Sequence, residues 1–166
     1  MATTELGLEL SPWRAVNDGV MGGISSGAMV REEDMLRFTG ELSLENNGGF
    51  ASVRRLTEED LSSADRVRLE VNGDGRVYQF RIRLDGRFDG IAWRAEIPTT
   101  GEWQEVEISL ADMVPVFRGN RVRGAGPVVP SRIRQIGFLV ADKQPGPFRL
   151  DIRSIRFLEN ESDGRE

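Results

Sequence analysis

The sequence contains no cysteine and no histidine among its 166 residues. Within this chain those absences exclude disulfides, thiol nucleophiles, thiolate metal sites, haem-ligating imidazole and histidine general bases. Lysine and tyrosine occur once each, as Lys143 and Tyr78. Catalysis would therefore have to rest on carboxylates, hydroxyls or those two side chains. No window approaches the roughly 18 consecutive apolar residues of a membrane span. The opening stretch from Met1 to Leu10 has neither the basic and apolar regions of a signal peptide nor the pattern of an Arg-rich presequence. These features predict a cytoplasmic protein with no direct membrane insertion.

Charge is abundant but nearly all of one cationic type. Against 27 acidic residues stand 22 basic ones, for a net charge of −5, and every basic residue except Lys143 is arginine. A net acidic chain without a long basic run is poorly suited to nucleic acid or anionic membranes, both of which require clustered positive charge. Planar guanidiniums suit strand-face ion pairs or a partner surface. A chain of this length can withdraw roughly 70% of its unfolded surface from water, enough for one domain with its own core.

Alternation of apolar and polar residues dominates the chain, and no long stretch shows a helical period. Val67, Leu69 and Val71 alternate with Arg68, Glu70 and Asn72, and the turn Asn72-Gly-Asp-Gly75 leads into Tyr78, Phe80, Ile82 and Leu84. This pattern predicts a hairpin with one wet face. Further strands are expected at Met35–Leu44, Gly48–Arg55, Ile91–Ile97, Glu102–Leu110, Arg132–Val140 and Phe148–Leu158. Trp103 has the opposite parity to Val106 and Ile108, placing it on the polar face or after a bulge. The slip between Leu150/Ile152 and Ile155/Phe157 predicts a bulge or a change of sheet. Short helical turns are expected at Thr57–Ala64, with Thr57 as cap and acidic residues following, and at Leu110–Met113. The result is an all-β, two-sheet sandwich or jelly roll over residues 1–158, with a polar tail at 159–166.

The segment from Trp13 to Ser25 is rich in glycine but lacks the lysine and following helix of a phosphate-binding loop. Its residues suit tight turns, with Trp13, Val20 and Met21 plugging the sandwich and Asn17, Asp18 and Ser25 bonding loop backbone. Asn17 and Asp18 could alternatively join a structural calcium site. Arg68, Glu70, Arg81, Arg83, Arg94, Glu96, Glu105 and Glu107 interleave both signs on the wet face. They fit a solvated ion-pair ladder, or else a recognition face for a protein or carbohydrate. No carboxylate pair stands out as a catalytic couple, and the reading is of a non-enzymatic module without cofactor or metal.

Several pieces together resemble the complex I intermediate-associated protein 30 family. They are Trp13 with Asn17-Asp-Gly-Val-Met-Gly-Gly-Ile-Ser25, Leu36-Arg-Phe-Thr-Gly40, Gly48-Gly-Phe-Ala-Ser52, Gly73-Asp-Gly-Arg-Val-Tyr78, Trp103 before Val106, Phe117-Arg-Gly119, Ile136-Gly-Phe138, and Phe148 to Ile155. The resemblance implies a galactose-binding-like jelly roll. It also implies a protein-binding assembly factor, acting as chaperone or scaffold for respiratory NADH:ubiquinone oxidoreductase, with complex subunits or assembly intermediates as partners. Lacking the long N-terminal extension of mitochondrial members, the sequence reads as a compact bacterial member, peripheral to the inner membrane through its partner. The motif-bearing surface carried over comprises Asn17, Asp18, Ser25, Arg54, Arg76, Tyr78, Trp103 and Arg118. If these converge, they would suit an acidic peptide or small anion. The alternative function is a carbohydrate- or small-anion-binding module.

Overall fold

The computed structural model describes residues 3–17, 24–45, 49–86, 90–118 and 120–159. Two antiparallel sheets enclose the core. The six-stranded sheet runs β3 (Ser26–Glu32), β4 (Met35–Leu42), β13 (Gly146–Glu159), β6 (Ala64–Gly73), β9 (Trp103–Ser109), with β1 (Thr3–Glu5) also paired to β13. The seven-stranded sheet runs β11 (Asn120–Arg121), β10 (Val114–Phe117), β8 (Ala92–Pro98), β7 (Val77–Arg83), β12 (Gln135–Val140), β5 (Ala51–Leu56), β2 (Trp13–Ala15). The chain crosses repeatedly between the sheets, giving the jelly-roll sandwich expected from the strand pattern.

Strict alternation explains the packing. Val67, Leu69 and Val71 point inward from β6, while Tyr78, Phe80 and Ile82 point inward from β7, all essentially without solvent exposure. Phe38 on β4 meets Tyr78 and Phe148 edge-on, at ring-centroid distances of 6.2 and 4.9 Å, so aromatic packing joins the two layers. The predicted slip on β13 is a register shift between Ile152 and Ser154. It lets Leu150 and Ile152, then Ile155 and Phe157, all reach the core. Trp103 lies opposite Asn72 in an unbroken register, which puts it on the polar face without a bulge.

Two local expectations are corrected. Residues 72–75 do not close a hairpin: β6 belongs to the six-stranded sheet and β7 to the other, so the turn passes the chain between layers. Thr57–Ala64 is not helical. Its capping residues precede no apolar helical stripe, and only Thr57, Leu61 and Ala64 are buried there. The turn after β9 is a 3-10 turn at Leu110–Asp112, and a second, unforeseen one occupies Pro130–Arg132.

Candidate functional site

Several of the residues singled out by sequence are spent on holding the fold. The Asn17 amide donates to the Gly27 carbonyl on β3 (3.2 Å) and its Oδ1 accepts from Ser52 N–H on β5 (3.2 Å), tying one sheet to the other. Ser25 Oγ donates to the Ser43 carbonyl and accepts from the Ser43 N–H, closing the open end of the β3–β4 pair. Arg76 clamps the loop after β12, donating to Asp142 Oδ1 (2.7 Å) and to the carbonyls of Gln144 and Pro147. Tyr78 donates its hydroxyl proton to Asp74 (2.8 Å) and accepts from the Arg149 N–H. Burial, with help from the Asp74 bond, pushes the Tyr78 hydroxyl far above its usual pKa and keeps it protonated.

Trp103 receives the Arg153 guanidinium over its ring, 4.0 Å from the centroid, on the outer face of the six-stranded sheet. Arg118 follows β10 at φ 52° and lies over the Phe117 ring at 5.1 Å. Arg54 is buried on β5, four strands away from β10 in the same sheet. The structure therefore brings Arg76 together with Tyr78, sets Arg54 and Arg118 apart, and leaves Trp103 on the opposite layer. Asp18, like Gly19 to Gly23 and Gly119, lies outside the described residues.

The charged alternation read from the sequence as one wet face divides between two. On the six-stranded sheet, Arg68 donates to Glu107 at 2.8 Å, Arg153 to Glu70, and Arg37 to Asp151 at 2.8 Å. Those bonds hold Glu107 and Glu70 below the usual carboxylate range and raise Arg37. On the seven-stranded sheet a single transverse row, set by the pairings of β2, β5, β12, β7 and β8, reads Arg14, Arg54, Gly137, Arg81, Arg94. Arg81 donates to Gln79 (3.0 Å), and among the described residues Arg14, Arg81 and Arg94 form no ion pair. Burial, then the positive charges of Arg83, Arg94 and Arg54, push Arg81 down to about 10. Sequence reading noticed Arg81, Arg83 and Arg94 only as part of a mixed ladder, and it missed Arg14. The row exists only through strands distant in the chain.

Between Arg54 and Arg81 the row has no side chain. A Cβ at Gly137 would stand 2.6 Å from the Val53 carbonyl oxygen and 3.2 Å from Arg54 Cβ, so the strands approach there as only glycine allows. A small pocket opens over this position, lined by Ser52, Arg54, Arg81, Arg83, Gln135 and Leu139. Among the described residues no group of three or more carboxylates is placed to share a metal ion, and no helix is long and apolar enough to cross a bilayer.

Comparison with known proteins relates this fold to two kinds of molecule. Among solved structures, a family 11 carbohydrate-binding module from Clostridium thermocellum, in complex with a β-1,3-1,4-mixed-linked tetrasaccharide, superposes with a TM-score of 0.71 at 17% identity, covering 95% of each chain. The sandwich is thus of the galactose-binding-like, carbohydrate-binding-module type. In sequence, the mitochondrial complex I intermediate-associated protein 30 of Mus musculus is 37% identical over 110 residues, 63% of this chain and 33% of its own length. That of Drosophila melanogaster is 27% identical over 143 residues, 81% of this chain and 48% of its own. The chain thus spans a third to about half of the length of these relatives. The family model described as complex I intermediate-associated protein 30 matches residues 3–152, and the chain belongs to that family.

Proposed function

We propose that this protein is a non-enzymatic binding module acting in the assembly of respiratory complex I, with complex subunits or assembly intermediates as its partners. The observation that carries the reading is the family match over residues 3–152, which takes in nearly every strand of both sheets. The action is equilibrium binding. A factor that holds a partly assembled subunit stabilises it by mass action and covers apolar surface that would otherwise aggregate. Trp103, on the outer face of the six-stranded sheet, and Arg118 with the exposed Phe117 at the end of β10 are the candidate contacts, while Arg76, Tyr78, Asn17 and Ser25 hold the fold together. Localisation follows the partner: peripheral to the inner membrane, on the cytoplasmic side in a bacterial host and in the mitochondrion in a eukaryotic one.

Affinity purification of the tagged protein from its own host in mild detergent tests this. Complex I subunits should co-purify, and Trp103→Ala with Arg118→Ala should reduce their recovery without lowering the melting temperature. Purification free of complex I subunits, together with normal complex I content in a strain lacking the protein, would refute the assembly role.

The second reading, a small-anion or carbohydrate site, is favoured in its anionic form by the arginine row. The row and its flanks carry no aromatic ring on which a sugar could stack. One flank holds Ser52, Leu139, Gln79 and Glu96, and the other holds Leu56, Gln135, Arg83, Ala92 and Val116.

A further inference from the structure

We infer that the free edge of β9 is a strand-addition site for an extended segment of a protein partner in which basic and apolar residues alternate. The inference names the partner chemistry for the binding role proposed above and rests on that reading.

The first ground is a difference between the two edges of the six-stranded sheet. At the β3 edge the sandwich is closed: Asn17 joins Gly27 on β3 to Ser52 on β5, and Arg31 Nη1 donates to the Leu8 carbonyl at 2.9 Å. β9 ends the sheet on the other side, paired with β6 alone. Among the described residues no other backbone group bonds to Trp103–Ser109. An antiparallel strand directs alternate N–H and C=O groups away from its neighbour, so this edge offers a row of donors and acceptors to an incoming chain. It is seven residues long, with no proline, no lysine and no break in its register with β6 to discourage pairing.

The side chains select the occupant. Glu105 and Glu107 are exposed on the outer face of β9, while Val106 and Ile108 face the core and Val106 is only partly covered. Glu105 lies opposite Glu70 and forms no ion pair among the described residues, and β9 itself carries no basic residue. The nearby arginines are already held, Arg66 and Arg68 by Glu107 and Arg153 by Glu70. Basic residues on one face of an added strand would meet Glu105 and Glu107 across the new ladder, and apolar residues on its other face would cover Val106. A second copy of this chain fits poorly, because β9 paired antiparallel with itself about Val106 sets Glu105 against Glu107.

The test is fluorescence anisotropy with a labelled heptapeptide of alternating lysine and valine. Its controls are the same peptide with glutamate for lysine, and a copy N-methylated throughout, which keeps the side chains and loses the backbone donors. The lysine peptide should bind and the two controls should not. Glu105→Lys should weaken binding at least tenfold, while Glu96→Lys, the same charge change on the other sheet, should alter it less than twofold. Glu105→Lys should not melt below the parent, because it removes a like-charge contact with Glu70. Amide hydrogen exchange of the complex should show new protection within Trp103–Ser109.

Absence of binding by the lysine peptide at millimolar concentration overturns the inference. So do equal binding of the N-methylated copy, an equal loss in Glu96→Lys, and protection confined to other strands. A dimer of the unliganded protein with β9 protected also overturns it, assigning the edge to a second copy. The two readings fail separately. Complex I subunits that co-purify equally with parent and Glu105→Lys protein leave the assembly role standing and remove this edge from it. Peptide binding at β9 without any complex I subunit in the purification does the reverse.

Discussion

The two outer faces of the sandwich are built from the same alternation, yet they place arginine differently across neighbouring strands. On the six-stranded sheet Arg68 sits directly across from Glu107, and the β13 bulge at Ile152/Ser154 accompanies Arg153, which reaches Glu70. That face neutralises itself. On the seven-stranded sheet the same cross-strand positions bring Arg81 to Arg94 and Arg14 to Arg54. A cross-strand like pair opposes folding by up to about 1 kcal/mol unless a neighbouring group offsets it. The lesson is that arginine content says little by itself. Which strand lies next to which decides whether a guanidinium meets a carboxylate or another guanidinium across the sheet.

The largest expected effect breaks the neutral face. Asp151 is buried and accepts from Arg37 at 2.8 Å, with Arg149 a further neighbour at 3.6 Å. Asp151→Ala leaves Arg37 facing Arg149 without a carboxylate between them. Because Arg37 keeps 29% of its side-chain exposure, the loss should fall somewhat below that of a fully buried pair, at about 2–3 kcal/mol. Urea denaturation measures it. A loss under about 0.5 kcal/mol, the range of an exposed pair, would mean that the ion pairs of this face are ornamental and that the contrast between faces is one of appearance.

The next prediction converts one face into the other. Arg94→Glu places a carboxylate across from Arg81 and should stabilise the protein by about 0.5–1 kcal/mol in urea denaturation. A destabilised Arg94→Glu protein would instead make Arg94 a structural residue and return the row to ordinary packing.

Much of this contrast was hidden from the sequence for a physical reason. Period-2 alternation is local, so inward positions such as Leu69, Phe80 and Phe138 were legible, as was the slip at the end of β13. Sheet membership is not local. Asn72-Gly-Asp-Gly75 has the chemistry of a hairpin turn and instead hands the chain from one layer to the other, so a mixed ladder seemed to run where two separate faces exist. Arg54 was picked from its motif and Arg14 not at all. They share a row with Arg81 only because β12, far along the chain, lies between β5 and β7 with Gly137 at the crossing point. Arg76 and Tyr78 drew attention for the right chemistry, hydrogen-bonding capacity beside a turn. The loop bearing Asp142 and the strand bearing Arg149 claim that capacity, and neither is visible from the residues nearby.

The smallest effect sharpens the comparison through pH. Glu107 and Glu70 lie below the ordinary carboxylate value of 4.5 in the folded protein, because Arg68 and Arg153 hydrogen-bond their ionised forms. A depressed folded pKa means that the unfolded chain takes up protons first as pH falls. The stabilisation is therefore complete above the unfolded value and is lost progressively below about pH 5. Half exposure of Glu107, at 46% of its side chain, keeps the contribution small through solvent screening. Glu107→Gln should accordingly lower the melting temperature slightly at pH 7, and its difference from the parent should shrink as the pH falls below the unfolded carboxylate value and the parent takes up the proton. Arg81→Gln should give no such convergence between pH 3 and pH 7, because the guanidinium it removes stays charged across that range. Parallel curves for the two variants would mean that both faces respond to acid alike, and that the ion pairs of the six-stranded sheet are not what sets it apart.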